Sequence, residues 1–533
     1  MMLICVCAFF VNNCLIVPDI MESRNIITAR EMVYEGHWLI PTMNGELRLE
    51  KPPLPTWLTA LTEYIQPDSL ALQRGMAGLA ALLLVWYFWR FARKVLYADP
   101  IIPTVLLCTC YNIILMGRTA SWDIYCHAFM MGGIYHLARA MRQAPHKGLH
   151  YLAAGLFTGL SILSKGPVSP YALLLPFLLS WGFVERPSMK GHWRYVAMTV
   201  VVALLLGTWW YGYVHISQAE KLAAVVEKES SSWANHNVRP WWYYWKFFLE
   251  TGIWSLLLLT SLFLPLKDKW RRDKRWLLTA GWMLASLVLL SLMPEKKSRY
   301  LLPLLIPASY MMGCMVAWWE LSLGTRYETK ADRWAFRINA GLIALAVGAL
   351  PSAMEVMAYA KGAVSLEWWI AFTCFALVIL STLIWSLIQL RPMGMLAAVA
   401  VLFMAAECWV LPSLEHLINN PDRKSIALTR TDERIKDVPF YHAKDVPLRI
   451  ELVYAANRHI RPVDTSCADS ILCRLPMVLL THEGAGATLP DELWEKADSV
   501  YLGHFDDNPR PKGNARHTDE FAYHLTLIYP PTE

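Results

Sequence analysis

The stretch "VAMTVVVALLLGTWWYGYV", residues 196–214, decides the fold class of this chain. Its 19 residues carry no charge, and about 20 apolar residues in a helix cross the hydrocarbon core of a bilayer. Uncharged runs recur at 77–89 and 338–350. Across the 533 residues, 56% are hydrophobic and 17% are charged, against roughly 25% charged in soluble domains. The sequence therefore predicts an all-α polytopic membrane protein and excludes a soluble globule.

Hydropathy predicts about thirteen transmembrane spans. They are placed at 2–17, 70–91, 101–117, 123–140, 150–163, 168–184, 196–214, 251–266, 276–293, 300–319, 338–357, 368–388 and 394–412. The first is read as a span because it lacks the basic start and cleavage site of a signal peptide. With a cytoplasmic N-terminus, every loop after an even-numbered span is basic, including "KDKWRRDKR" at 267–275. The positive-inside rule then places the C-terminal region on the outer side.

Two domains follow from this topology. Residues 1–412 form the predicted membrane domain, with an interfacial external loop at 19–69, and residues 413–533 form a small extracytoplasmic α/β domain. Its predicted elements are strands at 447–455, 476–482, 499–505 and 522–529 and a helix at 489–497. The region contains no catalytic constellation, which favours a capping or partner-binding role.

The cysteines predict neither a metal site nor a redox motif. Nine of the 11 lie in or beside apolar runs, where cysteine acts as a small hydrophobe. Cys467 and Cys473 lie in a polar region, and the sequence leaves open whether they form a disulfide or remain free thiols. We therefore expect no metal site and no required cofactor. The sequence leaves a divalent cation open as an alternative, although no motif supports one.

Several cations violate the positive-inside pattern. On the predicted topology, outer-side cations include Arg24, Lys51, Arg118, Lys246 and the group around 296–299. Snorkelling of a long side chain to the headgroups explains some such residues. For the dense group at 296–299 we favour a functional reading, because ionisable residues near a membrane are often functional.

The external loop combines predicted helices with a rigid cation. Residues 25–40 and 52–65 predict two interfacial amphipathic helices, joined through "NGELRLEKPP". Lys51 precedes Pro52, so its backbone is held extended and its ammonium loses little entropy on binding an anion. Glu22 and Asp123 fall on the same predicted side. Acids and cations together suit transfer of a group from a phosphate leaving group.

Five motifs in order carry a family resemblance. The stretch at 22–60, "SWDIY" (121–125), "GLSILSKGPV" (159–168), "HNVRPWWYY" (236–244) and "KKSRYLLPLLIP" (296–307) resemble the lipid-linked-sugar-dependent glycosyltransferases. That family includes the bacterial lipid A aminoarabinose transferases and, more distantly, the protein O-mannosyltransferases. The resemblance covers about three-quarters of the chain. It implies a GT-C fold, a polyprenyl-phosphate sugar donor and a site that opens to the outer face of the bacterial cytoplasmic membrane.

The resemblance also implies roles for individual residues. Lys51 would contact the donor phosphate, and Asp123 would be the second acid. The remaining polar cavity would be formed by Arg24, Lys165, His236, Arg239, Arg299 and Tyr300.

The chain departs from the family at its first acid. Family members show adjacent acids there, but Met21 takes the first place and Glu22 the second, while Asp19 lies two residues earlier. Three explanations follow from this departure. Glu22 acts alone, or the loop bends so that Asp19 enters the site, or the acceptor needs no strong base. A phosphate acceptor, as on lipid A, is already ionised and satisfies the third alternative.

Two other classes of protein remain as alternatives. A transporter or flippase for lipid-linked sugars would also have many spans, but it usually places polar residues at mid-span on broken helices. A structural scaffold would not need the external cations. Within the enzyme class, the acceptor is lipid A, a related glycolipid or a protein hydroxyl. Nucleic acid is not an expected partner.

Overall fold

The computed structural model describes residues 1–142, 144–264 and 273–531. The basic run at 267–275, on which part of the predicted topology depends, lies mostly outside these ranges. The chain divides into two compact units. The first comprises Met1–Asn13, Leu49–Leu58 and Ser69–Ser413, and the second comprises Cys14–Arg48, Thr59–Asp68 and Leu414–Glu533.

The first unit is helical. Its α-helices of seven or more residues are Met2–Phe9, Leu70–Lys94, Ile101–Cys108, Tyr111–Gly117, Trp122–Met141, Lys147–Lys165, Leu175–Glu185, Trp193–Ser217, Ala219–Asn235, Ser255–Leu262, Lys274–Leu292, Leu302–Ser322, Lys330–Met354, Leu366–Gln389 and Pro392–Ala405. Short 3-10 turns at Gly252–Trp254 and Ser298–Leu301 precede two of these helices, and a third turn, Trp241–Lys246, precedes the four-residue helix Phe247–Glu250.

Seven helices of the described residues are long and apolar enough to cross a membrane. They are Leu70–Lys94, Trp193–Ser217, Lys274–Leu292, Ser298–Ser322, Lys330–Tyr359, Leu366–Gln389 and Pro392–Ser413. The prediction of a mostly helical, multi-pass membrane protein with strands near its C-terminus is confirmed, whereas the count of thirteen spans stays a prediction.

Several predicted spans differ from the observed helices. The first helix ends at Phe9 instead of continuing to residue 17. Asn12 and Asn13 lie just beyond, and their side-chain amides donate to the carbonyls of Glu407 and Ala71 at 2.9 and 3.1 Å. Because these amides bond to other segments, the chain leaves the helix here. The span predicted at 101–117 is two short helices that meet near Thr109 and Cys110.

Three helices of the first unit pack closely against one another, and two of them carry residues of the candidate site described below. Lys147–Lys165 packs against both Trp122–Met141 and Trp193–Ser217. A Cβ on Gly159 would lie 2.8 Å from the Leu206 Cβ, and one on Gly207 would lie 2.7 Å from the Ile162 Cβ. Small residues allow this approach, as they do between helices in membranes. The helix that ends in Lys165 is therefore fixed by backbone contact.

The second unit contains a five-stranded sheet and a two-stranded hairpin. In chain order the strands are β1 (Thr42–Met43), β2 (Glu46–Leu47), β3 (Phe440–Ala443), β4 (Ile460–Val463), β5 (Met477–Thr481), β6 (Asp498–Asp506) and β7 (Ala522–Tyr529). The large sheet has the order β4-β3-β5-β7-β6. The pairs β3–β4 and β3–β5 are parallel, and the pairs made by β7 are antiparallel.

The helices of the second unit confirm some predictions and correct others. The long helix of the external loop is Ile20–Glu35, and the second predicted loop helix is Leu54–Ile65. The strand predicted at 447–455 is wrong, because Ile450–Ala456 is a helix. Its buried residues Leu452, Ala455 and Ala456 recur at helical spacing. The helix predicted at 489–497 is reduced to a 3-10 turn at Asp491–Leu493.

The core of the second unit includes residues from distant parts of the chain. Ile27 of the helix Ile20–Glu35 lies in one apolar cluster with Phe440, Leu452, Val478 and Leu525. The segment Cys14–Arg48 is thus an integral part of this unit. The predicted boundaries 1–412 and 413–533, and the interfacial position of loop 19–69, stay predictions.

Candidate functional site

The centre of the candidate site is a buried ion pair in the first unit. Lys165 Nζ donates to Asp123 Oδ1, and their side chains are 6% and 3% exposed. Asp123 is in the first turn of Trp122–Met141, and Lys165 is the last residue of Lys147–Lys165. Each charge therefore lies at the helix end that its sign favours. Gly166 follows with φ of +69°, a backbone angle that glycine adopts without strain.

A third segment adds an arginine and a tyrosine to this pair. Arg299 and Tyr300 lie in the turn Ser298–Leu301, and Arg299 acts electrostatically on the Asp123 carboxylate. The Lys165 ammonium lies 5.6 Å from the centre of the Tyr300 ring, and the Arg299 guanidinium carbon lies 5.9 Å from it. The structure thus brings together Asp123, Lys165, Arg299 and Tyr300, which come from three of the five motifs.

Glu295, which the sequence analysis did not identify, lies next to these residues and contacts Tyr300. The Tyr300 hydroxyl donates to Glu295 Oε2 at 3.3 Å, and Lys297 Nζ lies 2.5 Å from Glu295 Oε1. Glu295 is buried, and the next residue, Lys296, is also buried and donates to the Met293 carbonyl. Burial lowers the pKa of Lys296. The order acid, lysine, lysine in "PEKKSRY" could have indicated this pairing.

The segment with His236 and Arg239 runs alongside these residues. The Arg239 amide donates to the Pro294 carbonyl at 3.3 Å, and the Lys296 amide donates to the Asn237 carbonyl at 3.2 Å. Both predicted site residues, His236 and Arg239, are exposed. The backbone of "HNVRP" is therefore hydrogen-bonded to "PEKKSRY", while its two basic residues are exposed.

Lys51 also lies in the first unit, with an acidic neighbour. Its ammonium is 3.5 Å from Glu229 Oε2, and the two side chains are 29% and 38% exposed. Glu229 comes from the helix Ala219–Asn235. An exposed pair of this kind has a small net energy, so an anion can compete for the lysine. Sequence reasoning did not identify Glu229.

The remaining predicted residues, Asp19, Glu22 and Arg24, lie in the second unit. Asp19 is the N-cap of Ile20–Glu35, and its Oδ1 accepts from the amides of Met21 and Glu22 at 2.8 and 2.9 Å. Glu22 is buried at the third helical position, which is where a capping box has its acid. Arg24 is partly buried, and its carbonyl accepts from Arg48 at 2.6 Å.

Two of the cations that the predicted topology places on the outer side, Arg118 and Lys246, form hydrogen bonds within the first unit. Arg118 donates to Glu407 and to the carbonyls of Ala8 and Val11, all within the first unit. Lys246 donates to Ser298 Oγ at 2.7 Å and to the Tyr243 hydroxyl at 3.1 Å. The Arg118 side chain therefore connects Glu407 to the segment 8–11.

The fold matches that of a protein of known structure. The chain superposes on the crystal structure of ArnT from Cupriavidus metallidurans bound to undecaprenyl phosphate with a TM-score of 0.68 at 16% identity, covering 100% of this chain and 97% of that one. The apo state of the same protein gives a TM-score of 0.63. The chain therefore has the same fold as ArnT.

Sequence comparisons point the same way. A family model described as dolichyl-phosphate-mannose-protein mannosyltransferase matches residues 50–211, a range that contains Lys51, Asp123 and Lys165. The undecaprenyl phosphate-alpha-4-amino-4-deoxy-L-arabinose arabinosyl transferase of Pseudomonas aeruginosa strain UCBPP-PA14 is 27% identical over 362 residues, 64% of this chain and 62% of that protein. Transferase 1 of the same name from Pseudomonas fluorescens is 26% identical over 317 residues, 57% of this chain and 54% of that protein.

These findings confirm the resemblance inferred from the motifs. The chain resembles the lipid-linked-sugar-dependent glycosyltransferases, the aminoarabinose transferases in particular. The matches span 54% to 62% of the length of these two relatives.

Proposed function

We propose that this chain is a glycosyltransferase of the bacterial cytoplasmic membrane. It moves a sugar from a polyprenyl-phosphate donor to lipid A or a related glycolipid at the outer face. The observation that carries the proposal is the buried Asp123–Lys165 pair beside Arg299 and Tyr300. The similar proteins are transferases of 4-amino-4-deoxy-L-arabinose, and this favours an aminopentose as the sugar.

The reaction needs cations at the leaving group. An acceptor oxygen attacks the anomeric carbon of the sugar, the bond from that carbon to the phosphate oxygen breaks, and its electron pair leaves with the polyprenyl phosphate. Fixed cations stabilise the charge that develops on this phosphate. We assign Lys51 to the donor phosphate, since its pair with Glu229 is partly exposed and a phosphate can displace that carboxylate. Arg239 and Arg299 supply further positive charge.

We assign different roles to the three acids Asp123, Asp19 and Glu22. Asp123 accepts a hydrogen bond from Lys165, so we assign it to holding that lysine and not to accepting a proton. Asp19 is engaged as a helix cap. We assign the base for a hydroxyl acceptor to Glu22, which takes the second acid position of the family motif. A phosphate acceptor is already ionised and needs no base.

A protein O-glycosyltransferase is the second candidate. The match of residues 50–211 to the mannosyltransferase family supports it. Both candidates share the donor chemistry and differ in the acceptor, so the acceptor decides between them.

The test compares acceptors directly. The purified protein is given a synthetic polyprenyl-phosphate aminopentose with either lipid A or a protein acceptor, and products are read by mass spectrometry. Envelope lipids of cells with and without the gene provide the matching test in vivo. Transfer to lipid A that disappears in Lys51→Ala supports the main proposal. Transfer to protein alone favours the second candidate, and no transfer from any such donor contradicts both.

The proposed outer location of residues 413–533 can be tested with two cysteines that the region already contains. Cys467 and Cys473 are exposed free thiols. In intact cells of a variant that retains these two cysteines alone, a membrane-impermeant thiol reagent should label the protein. Labelling that requires lysis would place the region in the cytoplasm.

A further inference from the structure

A cavity of about 370 Å³ in the second unit has more cations than acids in its wall. The wall includes Lys436, Arg458 and Arg461 together with one acid, Asp437. The cavity lies at the start of β3, which begins at Phe440. Sites for small molecules have volumes from about 300 Å³ upward, so a small ligand or one headgroup fits here. The residues that line this cavity take no part in the proposed transfer.

The three cations of this wall lack the acidic partners that nearby arginines have. Arg434, for example, lies 2.6 Å from Asp432 through Nη2 and Oδ2. In the part of the chain that the structure describes, Lys436, Arg458 and Arg461 have no carboxylate oxygen within 4.0 Å. Like charges in one cavity repel one another. An excess of positive charge that the fold itself does not neutralise suits an anionic ligand.

His459 also lines the cavity, and it already has an acidic partner. Its Nε2 lies 2.6 Å from Glu35 Oε1. Whenever the imidazole is protonated, this carboxylate offsets its charge. The excess of positive charge therefore comes from the lysine and the two arginines.

Arg458 is held in a fixed orientation by its surroundings. Its Nη1 donates to the carbonyls of Ile435 and Lys436 at 2.8 and 3.4 Å, and its guanidinium carbon lies 4.5 Å from the centre of the buried Phe440 ring. Among the described residues, no protein acceptor bonds to Nε or Nη2. A planar guanidinium binds two oxygens of a phosphate or carboxylate at once, and one that is already oriented loses little entropy when it does so.

The backbone before β4 explains how Arg458 reaches this place. The helix Ile450–Ala456 ends at Asn457, whose φ of +55° is left-handed, a conformation that asparagine adopts more readily than most residues. The Asn457 amide donates to the Val453 carbonyl at 3.0 Å. This turn leads the chain from the helix into β4, which carries Arg461.

We propose that Lys436, Arg458 and Arg461 form a binding site for a phosphate monoester, carried either by a glycolipid headgroup or by a soluble phosphorylated sugar. Three cations and one acid leave two net positive charges in the wall. A phosphate monoester carries about −1.5 to −2 charges at pH 7 and balances them, whereas a carboxylate carries a single charge. Asn457 and Asp437 lie in the same wall, and their side chains can bond to sugar hydroxyls.

Binding by the full-length protein in detergent tests this site without any transferase assay. Two probes are titrated by calorimetry: glucose 1-phosphate, and a micellar glucosamine lipid that carries one phosphate monoester. Glucose and the same lipid without phosphate are the ligand controls. We expect wild type to bind a phosphorylated probe and neither control. Tighter binding of the lipid identifies a headgroup as the source of the phosphate, and equal binding identifies a soluble sugar phosphate.

The double variant Lys436→Gln/Arg461→Gln locates the binding. Both residues are exposed, so the fold should tolerate their replacement. The loss of two charged contacts should weaken binding of the phosphorylated probe by about tenfold or more. Any phosphate binding at the transfer site is common to wild type and variant, so it does not contribute to this difference.

A matched control separates a site from general attraction between charges. Arg434→Gln/Lys496→Gln removes two positive charges from exposed positions of the same unit and should bind the probe as wild type does. Arg458→Lys keeps the charge but loses the planar fork, and it should bind more weakly than wild type. Equal weakening in the control, unchanged binding in Lys436→Gln/Arg461→Gln, or no binding of either phosphorylated probe by wild type would overturn the proposal, whatever the enzyme transfers.

Discussion

Asp19 and Asp123 both begin helices, and their surroundings differ in almost every other respect. Asp19 accepts hydrogen bonds from amides two and three residues ahead of it. Asp123 pairs with Lys165, 42 residues away, where both side chains are almost fully buried. The first carboxylate is explained by local backbone chemistry, whereas the second is retained although it costs desolvation.

This difference separates structural acids from candidate functional ones. A helix cap contributes about 1 kcal/mol to stability. A buried ion pair contributes little net stability over apolar residues, yet removal of one partner costs about 3–5 kcal/mol. We therefore expect the Asp123–Lys165 pair to be present for transfer and Asp19 to be present for folding.

The strongest test replaces the buried pair. Asp123→Asn and Lys165→Met should each lower turnover by about 10³-fold or more, since a charge that positions or stabilises the transition state is lost. Each should also lower the free energy of unfolding by about 3–5 kcal/mol. Turnover is measured with the synthetic donor, and stability by thermal denaturation in detergent.

The double variant Asp123→Leu/Lys165→Met sharpens this result. Without a lone buried charge it should regain most of the stability while it stays inactive. Recovery of turnover together with stability would show that the pair is structural.

Lys51 should give the next largest effect. Lys51→Ala should lower transfer by about 10²–10³-fold, as the loss of one donor to developing charge does. Lys51→Arg should recover little, because a planar guanidinium does not replace a compact ammonium. The exposed Lys228, adjacent to Glu229, provides the matched control Lys228→Ala. Near wild-type kinetics in Lys51→Ala would remove this residue from the phosphate contact.

Glu229 should give a smaller effect of opposite sign. In Glu229→Gln the competitor of the donor phosphate for Lys51 is lost. An exposed pair is worth about 0.2–1 kcal/mol, so the KM for the donor should fall up to about fivefold with kcat nearly unchanged. The same fall in a Lys51→Ala background would mean that Glu229 acts through another group.

The sequence predicted the helical membrane part because uncharged runs are visible without tertiary information. It also predicted the family resemblance and the residues that meet around Asp123, since "SWDIY", "SKGPV" and "SRY" are local patterns. Glu295 and Glu229 were missed because their importance depends on contacts between distant segments. The helix Ile450–Ala456 was mistaken for a strand because its β-branched and aromatic residues conceal a helical burial pattern.

The smallest effect is expected at Asp19. Asparagine caps a helix as well as aspartate does. Asp19→Asn should therefore change the free energy of unfolding by no more than about 0.5 kcal/mol and should leave turnover nearly unchanged. Asp19→Ala should lower stability by about 1 kcal/mol with kcat retained in the folded fraction. Glu22→Gln at the neighbouring acid should instead lower kcat by about 10²–10⁴-fold if the acceptor is a hydroxyl, and much less if it is a phosphate. These values come from thermal denaturation and from turnover per folded molecule. A severe loss of kcat in Asp19→Asn, with Glu22→Gln active, would mean that Asp19 leaves its capping position during the reaction and acts as the acid.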